Sequence, residues 1–238
     1  MVEISASEDG ARRRSARAIA LRYWPAFIGV AILVGLWSSP LVPLARRAFS
    51  AHMMLHLGIV TIASPLIVIG ALRVPLVERV MRPSVATALA ASLFDLVIVW
   101  GWHAPVLHEA AARHTGVFVF QQASFLAAGV LVWGLGLAGR SRRDAGLGAM
   151  SLAMTFMHMS MLGVLLSIAP RLIYAPDVCQ GAFGFTRLSD QRLGGAMMAV
   201  WGGLPYLGGA LLLVTRLLAD DGPPRTTDAT ANRRRPEE

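Results

Sequence analysis

Apolar runs long enough to cross a bilayer recur six times along this chain, and no other feature restricts its fold as severely. A helix needs about 20 predominantly apolar residues to span the hydrocarbon core. The runs are Trp24–Leu41, His52–Leu72, Val85–Trp102, Val117–Ala138, Leu147–Ile168 and Leu193–Leu218. The first is short, interrupted by Pro40 and followed by Pro43. Backbone amides and carbonyls find no water inside lipid, so each run must close its own hydrogen bonds as a helix. The expected fold is an all-α membrane protein, a bundle of about six transmembrane helices. An apolar fraction of 55% over 238 residues agrees with that class and not with a soluble domain. The pairs Gly202-Gly203 and Gly208-Gly209 allow close helix approach in lipid.

Arginine sets the orientation, since the chain has no lysine. With the N-terminus in the cytoplasm, that side carries Arg12, Arg13, Arg14, Arg17, Arg22, Arg73, Arg79, Arg82, Arg140, Arg142, Arg143, Arg216, Arg225 and Arg233 to Arg235. The opposite side carries only Arg46, Arg47, Arg113, Arg171, Arg187 and Arg192. The positive-inside rule therefore places both termini in the cytoplasm. Three regions follow: a basic cytoplasmic tail at 1–22, a six-helix transmembrane domain at 23–218 and a disordered cytoplasmic tail at 219–238. Within the first tail, 1–11 is also expected to be disordered. A signal peptide is the competing reading of residues 11–40, but the basic stretch is long and no A-x-A site follows, so a retained first helix is preferred. The formal charge of +8 points to anionic lipid headgroups rather than nucleic acid, because no aromatic residues interleave the arginines. A single cysteine, Cys179, excludes an intramolecular disulfide.

Under this topology five of the six histidines gather at one membrane face. His52 and His56 stand one turn apart at the start of the second run, with Met53 and Met54 beside them. His103 ends the third run, and His108 and His114 lie in the loop after it. Tyr174, Asp177, Cys179, Asp190 and Gln191 occupy the loop before the sixth. Imidazole and thioether together suit copper, Cu(I) above all. Each group has a plainer use. Trp102-His103-Ala104-Pro105 could be an interfacial anchor and helix stop. His108 and His114 could be solvated, and Asp190-Gln191 could cap the sixth helix. Two polar residues lie deeper. Asp95 falls two turns before His103, on a similar face. His158 sits mid-span, with Met154 and Met161 at helical spacing, and is a further candidate metal ligand with those methionines as soft auxiliaries. An intramembrane ionisable group is a functional candidate by default, while a methionine stripe also fills core gaps.

Read together, His52-Met-Met-Leu-His56 running into Ala63-Ser-Pro-Leu66, Trp102-His103-Ala-Pro105, Ser124-Phe125 leading to Trp133, Ile173-Tyr174-Ala-Pro176 and Leu188-Ser-Asp-Gln-Arg-Leu-Gly-Gly195 resemble the multispanning CtaG-type assembly factors of bacterial caa-type cytochrome c oxidases. The resemblance extends over most of residues 24–215. It implies a multi-pass protein of the bacterial inner membrane that works with cytochrome c oxidase subunits, delivering or holding copper. His52, His56, His103, Asp190 and Gln191 would be the signature residues. Two departures stand out. Gln122-Ala123 occupies a place where the family often has histidine, and His108 one where it favours tyrosine. If the fourth-span histidine is a ligand in relatives, this chain must use His108, His114 or water.

Catalysis is not indicated. His52-x-x-x-His56 lacks the glutamate of a zincin motif, and there is no phosphate-binding loop or nucleophile elbow. Three non-enzymatic readings stand: an oxidase assembly factor handling copper, a haem-binding membrane protein, and a small proton-linked transporter. The inner leaflet has no second histidine pair for a two-haem cytochrome, and no inverted repeat marks a transporter. The topology is tested by fusing alkaline phosphatase to the C-terminus. The fusion should be inactive, and an active one would contradict an even number of spans with a cytoplasmic N-terminus.

Overall fold

The computed structural model describes residues 2–218, and among these the regular structure is entirely helical. In chain order the elements are α1 (Val2–Ser38), α2 (Leu41–Ala45), α3 (Phe49–Leu57), a π-helical stretch Gly58–Ala63, α4 (Ser64–Ala71), α5 (Pro75–Val80), α6 (Val85–His103), α7 (Pro105–Arg113), α8 (Thr115–Leu137), α9 (Arg142–Ser167), α10 (Arg187–Met197), a second π stretch Met198–Gly202, and α11 (Leu204–Leu218). Six stretches are long and apolar enough to cross a membrane: Ile19–Ser38, Phe49–Ala71, Val85–His103, Thr115–Leu137, Arg142–Ser167 and Arg187–Leu218. The expected six-helix, all-α architecture holds.

Three boundaries differ from the hydropathy reading. Helix α1 starts at Val2, so the segment expected to be disordered at 1–11 is helical from there and runs on into the first span. That span is not short: it covers 20 residues and ends at Ser38, before the Pro40 that interrupted the apolar run. The sixth span begins at Arg187 rather than Leu193, which brings Asp190 and Gln191 out of the expected loop and into α10. A helix satisfies its backbone whatever its side chains are, so an average of apolarity stops short of a polar first turn. The tail expected at 219–238 lies outside the described residues.

Local chemistry places the ends. Ser84 caps α6, accepting from Thr87 N while Ser84 N donates to Thr87 Oγ1. Ser141 and Asp144 do the same for α9. Pro105 closes α6 and opens α7, because a residue before proline is driven out of the helical region, and Ala104 is extended at ψ 135°.

Two spans loosen into π turns just before a proline. Ser64 N bonds Ile59 O, five residues back. Pro65 has no N–H, so the Val60 carbonyl loses its acceptor role within the helix. That carbonyl is taken instead by Trp133 Nε1 of α8 at 2.9 Å and Tyr206 OH of α11 at 3.4 Å. Pro205 follows the second π stretch, where Ser160 Oγ of α9 donates to the Ala199 carbonyl at 3.0 Å. Proline thus turns intrahelical bonds into bonds between spans.

The second span is the most enclosed of the six and forms the centre of the bundle. Against it and α9 the sixth span packs through glycine. A Cβ at Gly163 would stand 2.2 Å from Ala199 N, and one at Gly195 2.4 Å from Ser167 N. Because the obstructing atoms are backbone, no rotamer change can relieve them. Gly163→Leu should separate α9 from the sixth span and destabilise the protein by about 3 kcal/mol or more, at or beyond the upper end of overpacking costs. Thermal denaturation in detergent, read by size-exclusion of the surviving fraction, measures it.

Candidate functional site

Helix α3 begins at Phe49, and its preceding residue, Ala48, has no side chain to cap it. The cap comes from α10. Asp190 Oδ2 accepts from Phe49 N at 2.8 Å and Ser50 N at 3.3 Å, and Ser50 Oγ donates to Asp190 Oδ1. A buried carboxylate is stabilised there by the orphan N–H groups and the positive end of the helix dipole. Gln191, the next residue, accepts from Ile173 N at 2.8 Å and donates to the Arg171 carbonyl at 3.4 Å. Asp190 therefore caps a helix, but α3 rather than its own.

So anchored, α3 turns His52 and His56 into the bundle, where they meet His103 from the end of α6 and His108 from α7. Ring centres lie 6.4 Å apart for His52–His56, 5.9 Å for His52–His103, 5.6 Å for His56–His103 and 4.8 Å for His52–His108. All four side chains are buried. His108 is thus neither in a loop nor solvated. Burial, reinforced by His103, pushes its pKa down to about 3, so it is neutral at physiological pH. Its helix carries a polar face of His108, Glu109 and Arg113 that an average of apolarity could not register as a helix.

Aromatic side chains close the cluster. Phe125 of α8 lies 4.0 Å from the His56 ring, and Phe49 contacts His52, His103 and His108. Tyr174 stacks on Phe49 at 4.9 Å, packs on His108 at 4.3 Å and donates to the His103 carbonyl at 3.0 Å. The loop bearing Tyr174 is tied down by Glu109, which accepts from Ala175 N at 2.9 Å, and by Arg113, which pairs with Asp177 at 3.1 Å. Phe49 and Phe125 are the site residues that a search for metal ligands passes over; Phe125 does stand in the Ser124-Phe125 pair of the family resemblance. With these rings filling the space, a porphyrin could enter only by repacking the bundle.

The nitrogens decide what the cluster can do. His103 Nδ1–H donates to the Val99 carbonyl at 2.6 Å, leaving the Nε2 lone pair free. His52 Nε2, both nitrogens of His56, His103 Nε2 and His108 Nδ1 are buried without a hydrogen-bond partner. A carbonyl bond to one ring nitrogen is the usual way a metal-binding histidine is oriented. With metal–nitrogen bonds of about 2 Å, two rings sharing an ion have centres roughly 5–6.5 Å apart. The observed separations span that interval. Among the described residues no three His, Cys, Asp or Glu side chains already converge at metal-bonding geometry. A two-imidazole site with small ring rotations fits; a finished multidentate cage does not.

Several candidates fall elsewhere. Met53 is buried against Gly194 of α10, next to Phe49. Met54 is 43% exposed, and Met154 and Met161 face outward while His158 is buried. The methionine–histidine face read along α9 is therefore split at its edge. Asp95 does not join His103; it pairs with His158, 3.1 Å away. His114 is exposed between α7 and α8. Burial pushes the Cys179 thiol up to about 11, which makes it a poor ligand at neutral pH. Gln122 donates to its neighbour Gln121 at 3.1 Å.

Six apolar spans around a buried histidine cluster define a multispanning membrane protein with an internal nitrogen-donor site. Compared with known families, residues 10–220 match the cytochrome c oxidase caa3 assembly factor family (Caa3_CtaG), and the chain belongs to that family. No curated protein and no solved structure matches it.

Removing the Asp190 carboxylate leaves Phe49 N, Ser50 N and Ser50 Oγ buried and unpaired. Asp190→Ala should cost about 3 kcal/mol or more, and Asp190→Asn less, since the amide oxygen still accepts. Thermal melting of the solubilised variants orders the two.

Proposed function

We propose that this assembly factor serves its oxidase by holding Cu(I) between imidazoles of His52, His56, His103 and His108. The observation that carries the reading is the set of buried ring nitrogens with no partner. Each unpaired buried polar group costs about 1–3 kcal/mol, a cost that bonding to a cation relieves. Neutral imidazole suits copper, and Cu(I) accepts two or three such ligands. Met53, which packs against Gly194 of α10, is not required, since two imidazoles suffice for Cu(I).

On this reading the cluster faces the outer side of a bacterial plasma membrane, an orientation that the arginine bias supports, and copper would arrive from outside the cytoplasm. The partners would be cytochrome c oxidase subunits still lacking metal. The role is that of a carrier or holder, with no catalysed reaction. The buried aromatic wall around the cluster would keep bound Cu(I) away from water and oxidants.

The test replaces His52 and His56 together by Ala and measures membrane copper per haem a in cells carrying variant or parent. The variant should be inserted in the membrane with a reduced ratio. The purified variant should also hold Cu(I) at least about tenfold more weakly against a chromophoric chelator, since even indirect damage to a metal site costs about that much. Equal copper ratios with full oxidase activity would refute copper handling.

A further inference from the structure

Three of the six arginines at the histidine-bearing end of the bundle meet at one place. Arg46 and Arg47 follow α2 and Arg113 ends α7, and all three line a hollow of about 380 Å³. The acids there are already taken by Arg113. Asp177 accepts from its Nε and Nη2, each at 3.1 Å, and Glu109 accepts from its Nη1 at 3.0 Å. Arg46 is half-buried and held by neutral groups. Its Nε donates to the Ala112 carbonyl at 2.9 Å and its Nη1 to Thr115 Oγ1 at 3.2 Å, with the guanidinium over the Phe118 ring. Those bonds use two of the five guanidinium N–H groups and neutralise no charge. Arg47 is exposed. Among the described residues its side chain makes no hydrogen bond, and neither Arg46 nor Arg47 pairs with a carboxylate.

Arg46 also borders a second hollow, an apolar groove of about 460 Å³. Its walls are Trp37 near the end of α1, Val42 of α2, and Phe118 and Val119 of α8. Helices α1 and α8 both pack on α4, and the groove opens where their ends at the histidine side stand apart. Trp37 is 39% and Val119 60% exposed, so the groove is lined by uncovered apolar surface. A tryptophan at the end of a span marks the depth of the lipid headgroups. Because Arg46 belongs to both hollows, a cationic pocket at headgroup depth runs into an apolar slot that enters the span region.

That combination selects its ligand. A guanidinium fork matches the oxygens of a phosphate, and an acyl chain suits the slot. A soluble phosphate would leave the apolar walls uncovered, and an uncharged apolar molecule would leave two guanidinium charges uncompensated. A zwitterionic lipid would bring its own cation to the arginines. The bias that crowds arginine at the other end of the bundle depletes it at this one, so a general attraction to the membrane surface does not account for three arginines in one hollow. We propose that the cleft between α1–α2 and α7–α8 binds one anionic phospholipid, with its phosphate on Arg46 and Arg47 and one acyl chain along Trp37, Phe118 and Val119. The bound lipid braces α2, which leads into the helix of His52 and His56, against α7, which carries His108. The site stands or falls independently of copper.

The experiment reconstitutes the full chain into vesicles of phosphatidylcholine mixed with phosphatidylglycerol, with bromine on the acyl chains of one lipid or of the other. Brominated chains quench tryptophan fluorescence on contact, and the part of the quenching that disappears in Trp37→Phe reports the groove alone. That part should favour phosphatidylglycerol over phosphatidylcholine by about tenfold or more, since each arginine near an anionic headgroup contributes about fivefold. Arg47→Gln changes an exposed side chain without contacts, so the protein should fold as the parent does while the preference drops about fivefold. Arg47→Lys should keep most of the preference. Soluble glycerol phosphate, added in excess, should leave the quenching unchanged. Equal quenching by the two lipids in the parent, or an undiminished preference in Arg47→Gln, overturns the site. Loss of the preference on adding glycerol phosphate makes a free phosphate the ligand and overturns the lipid assignment.

Discussion

The carboxylate of Asp190 on the first amides of α3 joins residues 141 positions apart, and the candidate site hangs from that bond. His52 and His56 lie on the helix whose start it holds. A helix that begins inside a protein with no local cap exposes N–H groups that nothing else satisfies. Supplying the acceptor from α10 settles where α3 starts and how far it is pushed into the bundle. Gln191 then fixes the loop that carries Tyr174, whose hydroxyl reaches the carbonyl of His103. Adjacent residues on one helical turn thus position histidines from two other helices.

The same logic of misplaced hydrogen bonds operates deeper. Pro65 releases the Val60 carbonyl, and Trp133 and Tyr206 take it up, so that second, fourth and sixth spans meet at one oxygen. In water such a carbonyl would be solvated at little cost. In lipid it must be bonded, which makes a proline an instruction about tertiary contacts as much as a local break. Membrane helices without a hydrophobic drive between them depend on such bonds and on close glycine contacts, as at Gly163 and Gly195.

Two polar centres share α6, one at its end and one near its middle, and they differ in kind. The upper one is a set of neutral nitrogen donors walled by Phe49, Phe125 and Tyr174. The lower one sets the Asp95 carboxylate beside the His158 ring, 3.1 Å away. Both centres lie on the inward faces of helices whose other sides are apolar, so lipid contact is left undisturbed.

Hydropathy alone determined the six spans and the helical class, because the bilayer imposes a length and a hydrogen-bonding demand that any spanning segment must meet by itself. The motif order was equally legible, and with it the family and the meeting of His52 and His56, which one helical turn guarantees. The rest waited on the fold. His108 joined the cluster because Pro105 starts a helix where the sequence suggested a loop. Asp190 and Gln191 moved into α10 because polar residues can begin a membrane helix when another helix needs them. Asp95 turned from His103 to His158, and the methionines of α9 split between lipid and core, because spacing along one helix fixes relative angle but not which neighbour it faces. That choice belongs to the packing of all six spans at once, which no single segment encodes.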